Sequence, residues 1–154
     1  MEILKLNLGS GYRKQEGYLN IDNRQECDPD LALDISKGLP FEDNSIDEIR
    51  TFDIIEHVEI GKVLPLIEEI YRVLKPDGIW ESFSPSTDGR GAFQDPTHCS
   101  FHNINSHLYW MDDAYRDLYG TKAKFSGELK DIDSGNGVIH TYSLLKAIKP
   151  AVKS

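Results

Sequence analysis

Cysteine is scarce in this chain of 154 residues: only Cys27 and Cys99 occur, and they form no CxxC motif. This scarcity excludes a disulfide framework or a zinc ribbon and is typical of a reducing compartment. A signal-peptide pattern is missing, and no apolar run approaches the roughly 20 residues of a membrane span, so we expect a cytoplasmic protein. Basic residues are also few, because 17 Lys and Arg face 26 Asp and Glu, which gives a formal net charge of −9. Nucleic-acid binders usually carry the opposite balance, so a nucleic-acid partner is disfavoured.

The order of apolar and polar segments predicts the fold class. The length is typical of one domain, and no repeat or linker divides residues 1–154. Apolar segments bounded by turn residues predict strands, and helical periodicity predicts two helices. The predicted strands are residues 3–8, 18–21, 31–33, 46–52, 79–83, 122–129 and 138–148, and the predicted helices are 61–74 and 106–119. This order predicts an α/β fold whose sheet is mostly parallel, with an antiparallel hairpin with a longer loop, residues 131–137, near the C-terminus.

The first three links between predicted strands are unusually short. A parallel crossover usually needs a dozen residues or more, and no full helix fits into any of these links. Either the links are extended or single-turn pieces, which we prefer, or the strand boundaries are misplaced. The fold prediction is therefore a minimal sheet in which several early crossover helices are missing or reduced.

Polar residues collect where the predicted strands end. Ligands of open α/β sheets bind at this edge. Gly9 and Gly11 allow a tight turn close to a ligand, and Asp22 can accept hydrogen bonds from both hydroxyls of a ribose. On its own this pattern equally fits a tight turn beside a solvated aspartate. The dinucleotide fingerprint GxGxxG is excluded because Lys14 occupies its last glycine position, and no GxxxxGK[ST] motif occurs.

Five motifs follow one another along the first half of the chain. They are LNLGSG at 6–11, LNID at 19–22, LPFEDNSID at 39–47, IIEH at 54–57 and YRVLKPDG at 71–78. Taken in order, they resemble the class I S-adenosylmethionine-dependent methyltransferases, and most of all the small type 11 group. The resemblance covers roughly residues 4–85. It implies a minimal Rossmann-like methyltransferase domain with S-adenosylmethionine as its cofactor.

The resemblance also implies where the cofactor binds. The turn at residues 9–11 would pass beneath the methionyl part, and Asp22 would hold the ribose. Asp34 and the backbone of Ile35 would face the adenine, and Asp53 would lie beside the sulfonium methyl. The predicted cofactor-binding residues are Gly9, Ser10, Gly11, Asp22, Asp34, Ile35 and Asp53.

The chain departs from this family at one point of the glycine loop. Arg13 stands where a third glycine is common, and the helix that usually follows the loop does not fit. The carboxylate of the cofactor would then bind loop amides or a basic side chain, with Arg13 and Lys14 as candidates.

Two segments carry candidate catalytic residues. Glu56-His57 either orients and caps the following helix or lines the acceptor pocket. Residues 86–105 form a long polar segment that we interpret as a substrate loop or lid. Within it, the segment DPTH from Asp95 to His98 resembles one seen after the fifth strand in some family members. His98 can take a proton from an acceptor hydroxyl, and Asp95 can orient the ring. Catalysis, substrate binding and a structural role all remain open for this pair; His98, Asp95 and His57 are the predicted catalytic residues, with His98 the preferred base.

A metal site is a further interpretation of the same segment. Asp95, His98, His102 and His107 are all ligand-type residues, but Pro96 and the nearby glycines favour a loop over a helix that would align them. No HExxH or paired cysteine motif supports metal binding. We therefore predict no metal.

The predicted function is methyl transfer from S-adenosylmethionine to a small-molecule acceptor. A hydroxyl of a sugar or other metabolite is preferred because the candidate base is a histidine. The alternative is a catalytically weak or inactive cofactor-binding module that acts through a protein partner. Right-handed crossovers would place both predicted helices on one face of the sheet. Parallel sheets are normally buried on both faces, so we predict that a second copy or another protein covers the other face.

Overall fold

The computed structural model describes residues 2–151, whose strands form one seven-stranded sheet. The strands are β1 (Lys5–Leu8), β2 (Leu19–Asp22), β3 (Leu31–Ala32), β4 (Ile46–Phe52), β5 (Leu74–Pro85), β6 (Phe125–Gly135) and β7 (Val138–Ala147). Their order across the sheet is β3-β2-β1-β4-β5-β7-β6. Strand β7 runs antiparallel to both of its neighbours, whereas the other pairs are parallel. The predicted α/β class, with a late antiparallel hairpin, is confirmed.

The helices are short except for one. They are α1 (Ile60–Val73), α2 (Gly91–Gln94), α3 (Leu108–Met111) and α4 (Asp113–Tyr119), with 3-10 turns at Gln25–Cys27, Ile35–Lys37, Ile55–His57 and Ile104–His107. The prediction of one continuous helix over 106–119 is wrong. Asp112 has an extended backbone and accepts hydrogen bonds from Ala114 N and Tyr115 N, so it caps a new helix at that point.

The hairpin loop is also tighter than predicted. Strand β6 continues to Gly135 and pairs there with Val138, so residues 131–135 are not a loop. Asn136 and Gly137 both have positive φ, which suits a two-residue turn and matches the right-handed twist of a hairpin.

The links of the first half are as short as the sequence predicted. Between β1 and β4, the described chain holds no helix longer than a three-residue 3-10 turn. The ends of β1, β2 and β3 lie at one edge of the sheet, and no crossover helix follows them within the described residues.

One face of the sheet carries the core. Leu6 and Leu8 of β1 pair with Ile49 and Thr51 of β4, and all four side chains are buried on the face that α1 covers. The rings of Trp80 and Trp110 lie 5.9 Å apart, which places α3 on this same face. The main buried residues of α1 are Val63, Leu66, Ile67, Ile70 and Val73. Both helical regions thus pack on one face, as predicted.

The other face, called the open face here, is polar and aromatic. Part of it is covered by the link between β1 and β2, since Arg50 donates to Gln15 and Tyr18 donates to Glu48. Ile79 and Phe83 of β5 make part of this face apolar, whereas β1 contributes the polar residues Lys5 and Asn7. The remaining open face includes Arg50, Phe52, Ile79, Glu81, Phe83, Glu128, Lys130, Tyr142, Leu144 and Lys146.

No helix within residues 2–151 is long and apolar enough to cross a membrane.

Candidate active site

A cavity of about 690 Å³ opens at the carboxyl ends of the parallel strands. This volume lies within the range of small-molecule and cofactor sites. The predicted residues that line it are Gly9, Asp22, Asp34, Ile35, Asp53, His57 and Asp95. It is bordered by the turns that follow β1 to β4 and by the loop after β5. We call the part at β1 to β3 the cofactor end and the part at His57, Asp95 and Thr97 the acceptor end.

The glycine turn at the cofactor end requires glycine at position 9. Gly9 has a φ of +68°, and a Cβ built there would lie 2.3 Å from Cγ1 of Ile54. Such a distance is a steric clash, and Ile54 itself lines the cavity. Gly11 has a φ of +50° but is not among the lining residues, and neither is Ser10.

Asp22 ties the glycine turn to the end of β2. Its Oδ2 accepts a hydrogen bond from Gly11 N at 2.8 Å, and its Oδ1 accepts one from Arg24 N at 2.9 Å. The side chain is only 6% exposed, yet it lines the cavity. Oδ1 also accepts a hydrogen bond from Arg24 Nε at 3.4 Å, whereas Oδ2 keeps a free lone pair, so the group is oriented by its neighbours and can still accept from a ligand through Oδ2.

Asp34 has a similar arrangement at the end of β3. Its Oδ1 accepts from Ser36 N at 3.0 Å and from Ser36 Oγ at 2.7 Å, which caps the 3-10 turn at Ile35–Lys37. These hydrogen bonds from Ser36 lower the pKa of the Asp34 carboxyl. Asp34 is therefore an ionised acceptor beside the backbone of Ile35.

The basic residues at this end differ from the predicted ones. Lys14 forms ion pairs with Asp28 at 3.4 Å and Asp30 at 3.5 Å, away from the cavity lining. Arg24 lines the cavity instead, and its Nη2 lies 3.4 Å from the position of a Cβ on Gly11. Sequence reasoning missed Arg24, whose one signal is its place two residues after Asp22.

Asp53 is held in an unusual backbone conformation where β4 ends. Its φ is +52°, a left-handed value that asparagine and aspartate adopt more readily than most residues. His140 Nε2 lies 3.6 Å from its Oδ1, and the ring of His140 stacks on Phe83 at 4.1 Å. His140 was not predicted, because only the antiparallel pairing of β7 with β5 brings it to this edge.

Three ligand-type side chains converge behind the acceptor end. One ligand atom from each of Glu56, His57 and His98 lies within 4.8 Å of the other two, and we call these residues the Glu-His-His cluster. Glu56 is 2% exposed, and its Oε2 has no hydrogen-bond partner within residues 2–151. Burial raises the pKa of this carboxyl to about 8.

Hydrogen bonds orient both imidazoles of the cluster. His98 Nδ1 lies 2.8 Å from the carbonyl oxygen of Ala92, which can only accept, so this nitrogen carries the hydrogen. Thr97 Oγ1 donates to Asp95 at 2.7 Å and lies 3.5 Å from His57 Nδ1. His57 lines the cavity with a side chain that is 34% exposed, whereas the side chain of His98 is 6% exposed and lies behind the wall.

The loop after β5 is docked onto the turn that carries the cluster. Cys99 N and Ser100 N both donate to the carbonyl oxygen of Glu56, at 2.8 and 3.2 Å. His102 and His107 border a separate small cavity beside Trp80. Of the four residues that invited a metal interpretation, the structure therefore joins Asp95 and His98, 3.5 Å apart, and not the other two.

One stretch of the chain resembles a known family in sequence. Residues 15–80 match the family model of a methyltransferase domain. None of the curated proteins compared with this chain matches it.

Several solved structures share the fold. An S-adenosylmethionine-dependent methyltransferase from Archaeoglobus fulgidus is 15% identical with a TM-score of 0.68, over 94% of this chain and 86% of that one. The 1,6-didemethyltoxoflavin-N1-methyltransferase of Burkholderia thailandensis was solved with 1,6-didemethyltoxoflavin and S-adenosylhomocysteine. It is 13% identical with a TM-score of 0.65, over 95% of this chain and 71% of that one. The [4+2]-cyclase SpnF is 14% identical with a TM-score of 0.69, over 96% of this chain and 75% of that one. The match to the methyltransferase-domain model and this shared fold confirm the resemblance to the class I S-adenosylmethionine-dependent methyltransferases of the type 11 group.

Proposed function

We propose that this protein transfers a methyl group from S-adenosylmethionine to a small-molecule acceptor, with a hydroxyl of a sugar or other metabolite as the preferred target. One observation carries the proposal. A single cavity joins the oriented carboxylates of Asp22 and Asp34 to the imidazole of His57. Cofactor-type groups and acceptor-type groups thus face the same space.

At the cofactor end, each part of S-adenosylmethionine has a matching group. The ribose hydroxyls would donate to Asp22, and the adenine would lie beside Asp34 and the backbone of Ile35. The methionyl part would pass over the Gly9 turn. Arg24 replaces Arg13 and Lys14 as our candidate for the cofactor carboxylate, since its guanidinium lies next to this turn.

At the acceptor end, the reaction needs alignment more than activation, because the sulfonium is already a reactive electrophile. The acceptor oxygen attacks the methyl carbon, the carbon–sulfur bond breaks with its electron pair going to sulfur, and S-adenosylhomocysteine is released. The proton of the acceptor hydroxyl passes to a base. His98 stays our predicted base, with Asp95 beside it, although His57 is the histidine exposed to the cavity.

A second function rests on the reduced first half of the chain. The short links between β1 and β4 support a module that binds the cofactor without efficient transfer and acts through a protein partner. The [4+2]-cyclase with this fold is an example in which the fold name alone does not give the reaction.

Incubation with isotope-labelled S-adenosylmethionine and a panel of sugars and other hydroxylated metabolites separates the two functions. Acceptor-dependent labelling with release of S-adenosylhomocysteine supports the enzyme. Saturable cofactor binding without labelling of any acceptor supports the module. Absence of cofactor binding contradicts both.

We also propose that a second copy covers the open face. Within the described residues, the chain after β7 leads away from this face, since Tyr71 of α1 donates to the carbonyl oxygen of Ile148 on the opposite side. The exposed side chain of Leu144 and the partly exposed ring of Phe83 would be buried in such a dimer. Light scattering coupled to chromatography tests this idea, and a particle of 17.5 kDa, the mass of one chain, would contradict it.

A further inference from the structure

We propose that Glu56, His57 and His98 bind one divalent metal ion of the zinc class at the acceptor end of the cavity. The three residues come from two separate segments, the turn after β4 and the loop after β5. Their ligand atoms lie within 4.8 Å of one another. The sequence alone gave no motif for such a site.

The orientation of both rings leaves a nitrogen free for a metal. The Nδ1 hydrogen of His98 is donated to the carbonyl oxygen of Ala92 at 2.8 Å, so its Nε2 carries a lone pair. Thr97 Oγ1 gives its own hydrogen to Asp95, so it can only accept from His57 Nδ1, at 3.5 Å. His57 Nε2 then also carries a lone pair, 4.0 Å from Glu56 Oε1. Imidazoles that donate one ring hydrogen to a carbonyl or oxygen group and offer the other nitrogen are typical metal ligands.

The carboxyl group supplies the independent observation. Glu56 is 2% exposed, and its Oε2 has no partner within residues 2–151. A buried polar atom without a partner destabilises the fold unless something binds it. Asp95 Oδ2 adds more negative charge, 3.5 Å from His98 Nε2. The ring nitrogens of two imidazoles thus lie close to a buried carboxyl group that has an unpartnered oxygen, an arrangement that a cation stabilises.

The donor set selects the class of ion. Two imidazole nitrogens and one carboxylate oxygen suit zinc and its neighbours, whereas Mg²⁺ and Ca²⁺ prefer oxygen ligands. With bonds of about 2.0 Å, ligand atoms of a tetrahedral zinc site lie roughly 3.3 Å apart. The cluster therefore has to contract slightly around the ion. His57 lines the cavity, so an ion bound there faces the acceptor, a consequence that rests on the proposed methyl transfer. In the metal-bound protein His98 is a ligand whose other nitrogen carries a hydrogen, so it acts on the acceptor through the ion and not as the base.

The test measures metal binding directly, with no acceptor or cofactor present. Tag-free protein is stripped with a chelator and titrated by calorimetry with Zn²⁺ and, separately, with Mg²⁺. We expect one Zn²⁺ per chain and weak or no Mg²⁺ binding. Substitutions His98→Ala and Glu56→Gln should each weaken Zn²⁺ binding by at least about 100-fold. Cys99→Ser is the matched control, because this exposed thiol lies close to the cluster and could hold zinc adventitiously.

Two further measurements keep the result unambiguous. Binding of S-adenosylhomocysteine to the same variants, within about threefold of the unsubstituted protein, shows that they are folded. Substitution of Co²⁺ into the unsubstituted protein should give absorption bands of nitrogen and oxygen ligation without a thiolate charge-transfer band. Zinc binding that persists in His98→Ala, that disappears in Cys99→Ser, or that never saturates would overturn the site. Failure of the metal site would leave cofactor binding unchanged, whereas failure of the proposed function would leave zinc binding unchanged.

Discussion

The two ends of the cavity satisfy their polar groups in different ways. At the cofactor end, the carboxylates of Asp22 and Asp34 are fixed by backbone N–H groups of the adjacent turns. At the acceptor end, Glu56 is buried without a partner for one oxygen, and the lone pairs of His57 and His98 face it. The two carboxylates of the cofactor end are thus oriented before any ligand arrives, although Ser10 Oγ in the glycine turn is buried without a partner within residues 2–151. The acceptor end is completed only by a proton, a metal ion or a substrate.

This difference arises from the segments that connect the strands at each end of the cavity. Short turns after β1, β2 and β3 leave the chain few conformations, so their backbone amides are available at fixed positions. The acceptor end depends on a long loop that returns to the turn after β4, where Cys99 N donates to Glu56 O at 2.8 Å. Variants in the first region should therefore affect folding and cofactor affinity together, whereas variants in the second should affect turnover.

The largest effect should come from the glycine turn. A methyl group at Gly9 would collide with Ile54, and a φ of +68° strains any other residue, so Gly9→Ala should lower the free energy of unfolding by about 3 kcal/mol or more. Gly17→Ala is the control: its φ is +83°, but nothing lies within 4 Å of the added carbon. It should cost about 1–2 kcal/mol and keep cofactor binding. Urea denaturation measures both, and equal losses would show that the contact with Ile54 is unimportant.

The second effect concerns turnover at the acceptor end. His98→Gln should lower turnover by about 100-fold or more, which is the contribution of a general base. Its affinity for S-adenosylhomocysteine should stay close to that of the unsubstituted protein, because the ring lies behind the opposite wall. His57→Gln is the matched comparison. A large loss in His57→Gln alone would transfer the role of base to the exposed histidine, and normal turnover in both variants would contradict the assignment of this end.

The third effect is a loss of stability in acid. Burial lowers the pKa of both His102 and His107 to about 4, below the ordinary value of 6.5. The folded state therefore favours the neutral rings. Their contribution to the free energy of unfolding is complete above pH 6.5 and is lost as the pH falls toward 4. For each histidine, the free energy of unfolding can fall by at most about 1.4 kcal/mol per pH unit over this range. Trp80 and Trp110 line the same small cavity as both histidines. Denaturation followed by tryptophan fluorescence therefore reports on this region.

The matched variant for the acid effect is His107→Phe, whose ring cannot take up a proton. His107 packs edge-on against Trp110 at 5.2 Å, a contact that phenylalanine can retain. The dependence of unfolding free energy on pH should be shallower in this variant between pH 6.5 and 4. An unchanged dependence would mean that His107 is not a source of the acid sensitivity.

The smallest effect is a difference in amide exchange. We expect residues 86–105 to exchange rapidly without ligand and to gain protection when cofactor and acceptor bind, because this loop must admit the substrate. The short links at the cofactor end should change less. Hydrogen exchange with and without ligands measures both regions, and strong, equal protection of residues 86–105 in both states would identify a rigid loop.

How much the sequence predicts differs between the two ends for a physical reason. Gly9 and Asp22 could be predicted because each directly follows a strand, and parallel strands bring such residues to one edge. Ser10 and Gly11 were predicted from the same motif, but only the backbone conformation decides which members of a turn face the cavity. The role of Arg24 could not be predicted, because no sequence pattern distinguishes it from other surface arginines.

The acceptor end was predictable only in part. Glu56 and His98 are 42 positions apart, and no periodicity links them. Their contact depends on the path of the loop, which hydrogen bonds to Glu56 O determine. The hairpin turn at residues 136–137 is a different case, since its Asn-Gly pair is a local signal that predicts the observed tight turn.

Calorimetric titration with S-adenosylhomocysteine tests the central claim most directly. The unsubstituted protein should bind one equivalent, and Asp22→Asn should weaken binding at least tenfold, or about 1.4 kcal/mol. Asp28→Asn is the control, since its side chain is 98% exposed and outside the cavity, and its affinity should be unchanged. No binding to the unsubstituted protein, or equal affinity in Asp22→Asn, would contradict the assignment of this cavity to the cofactor.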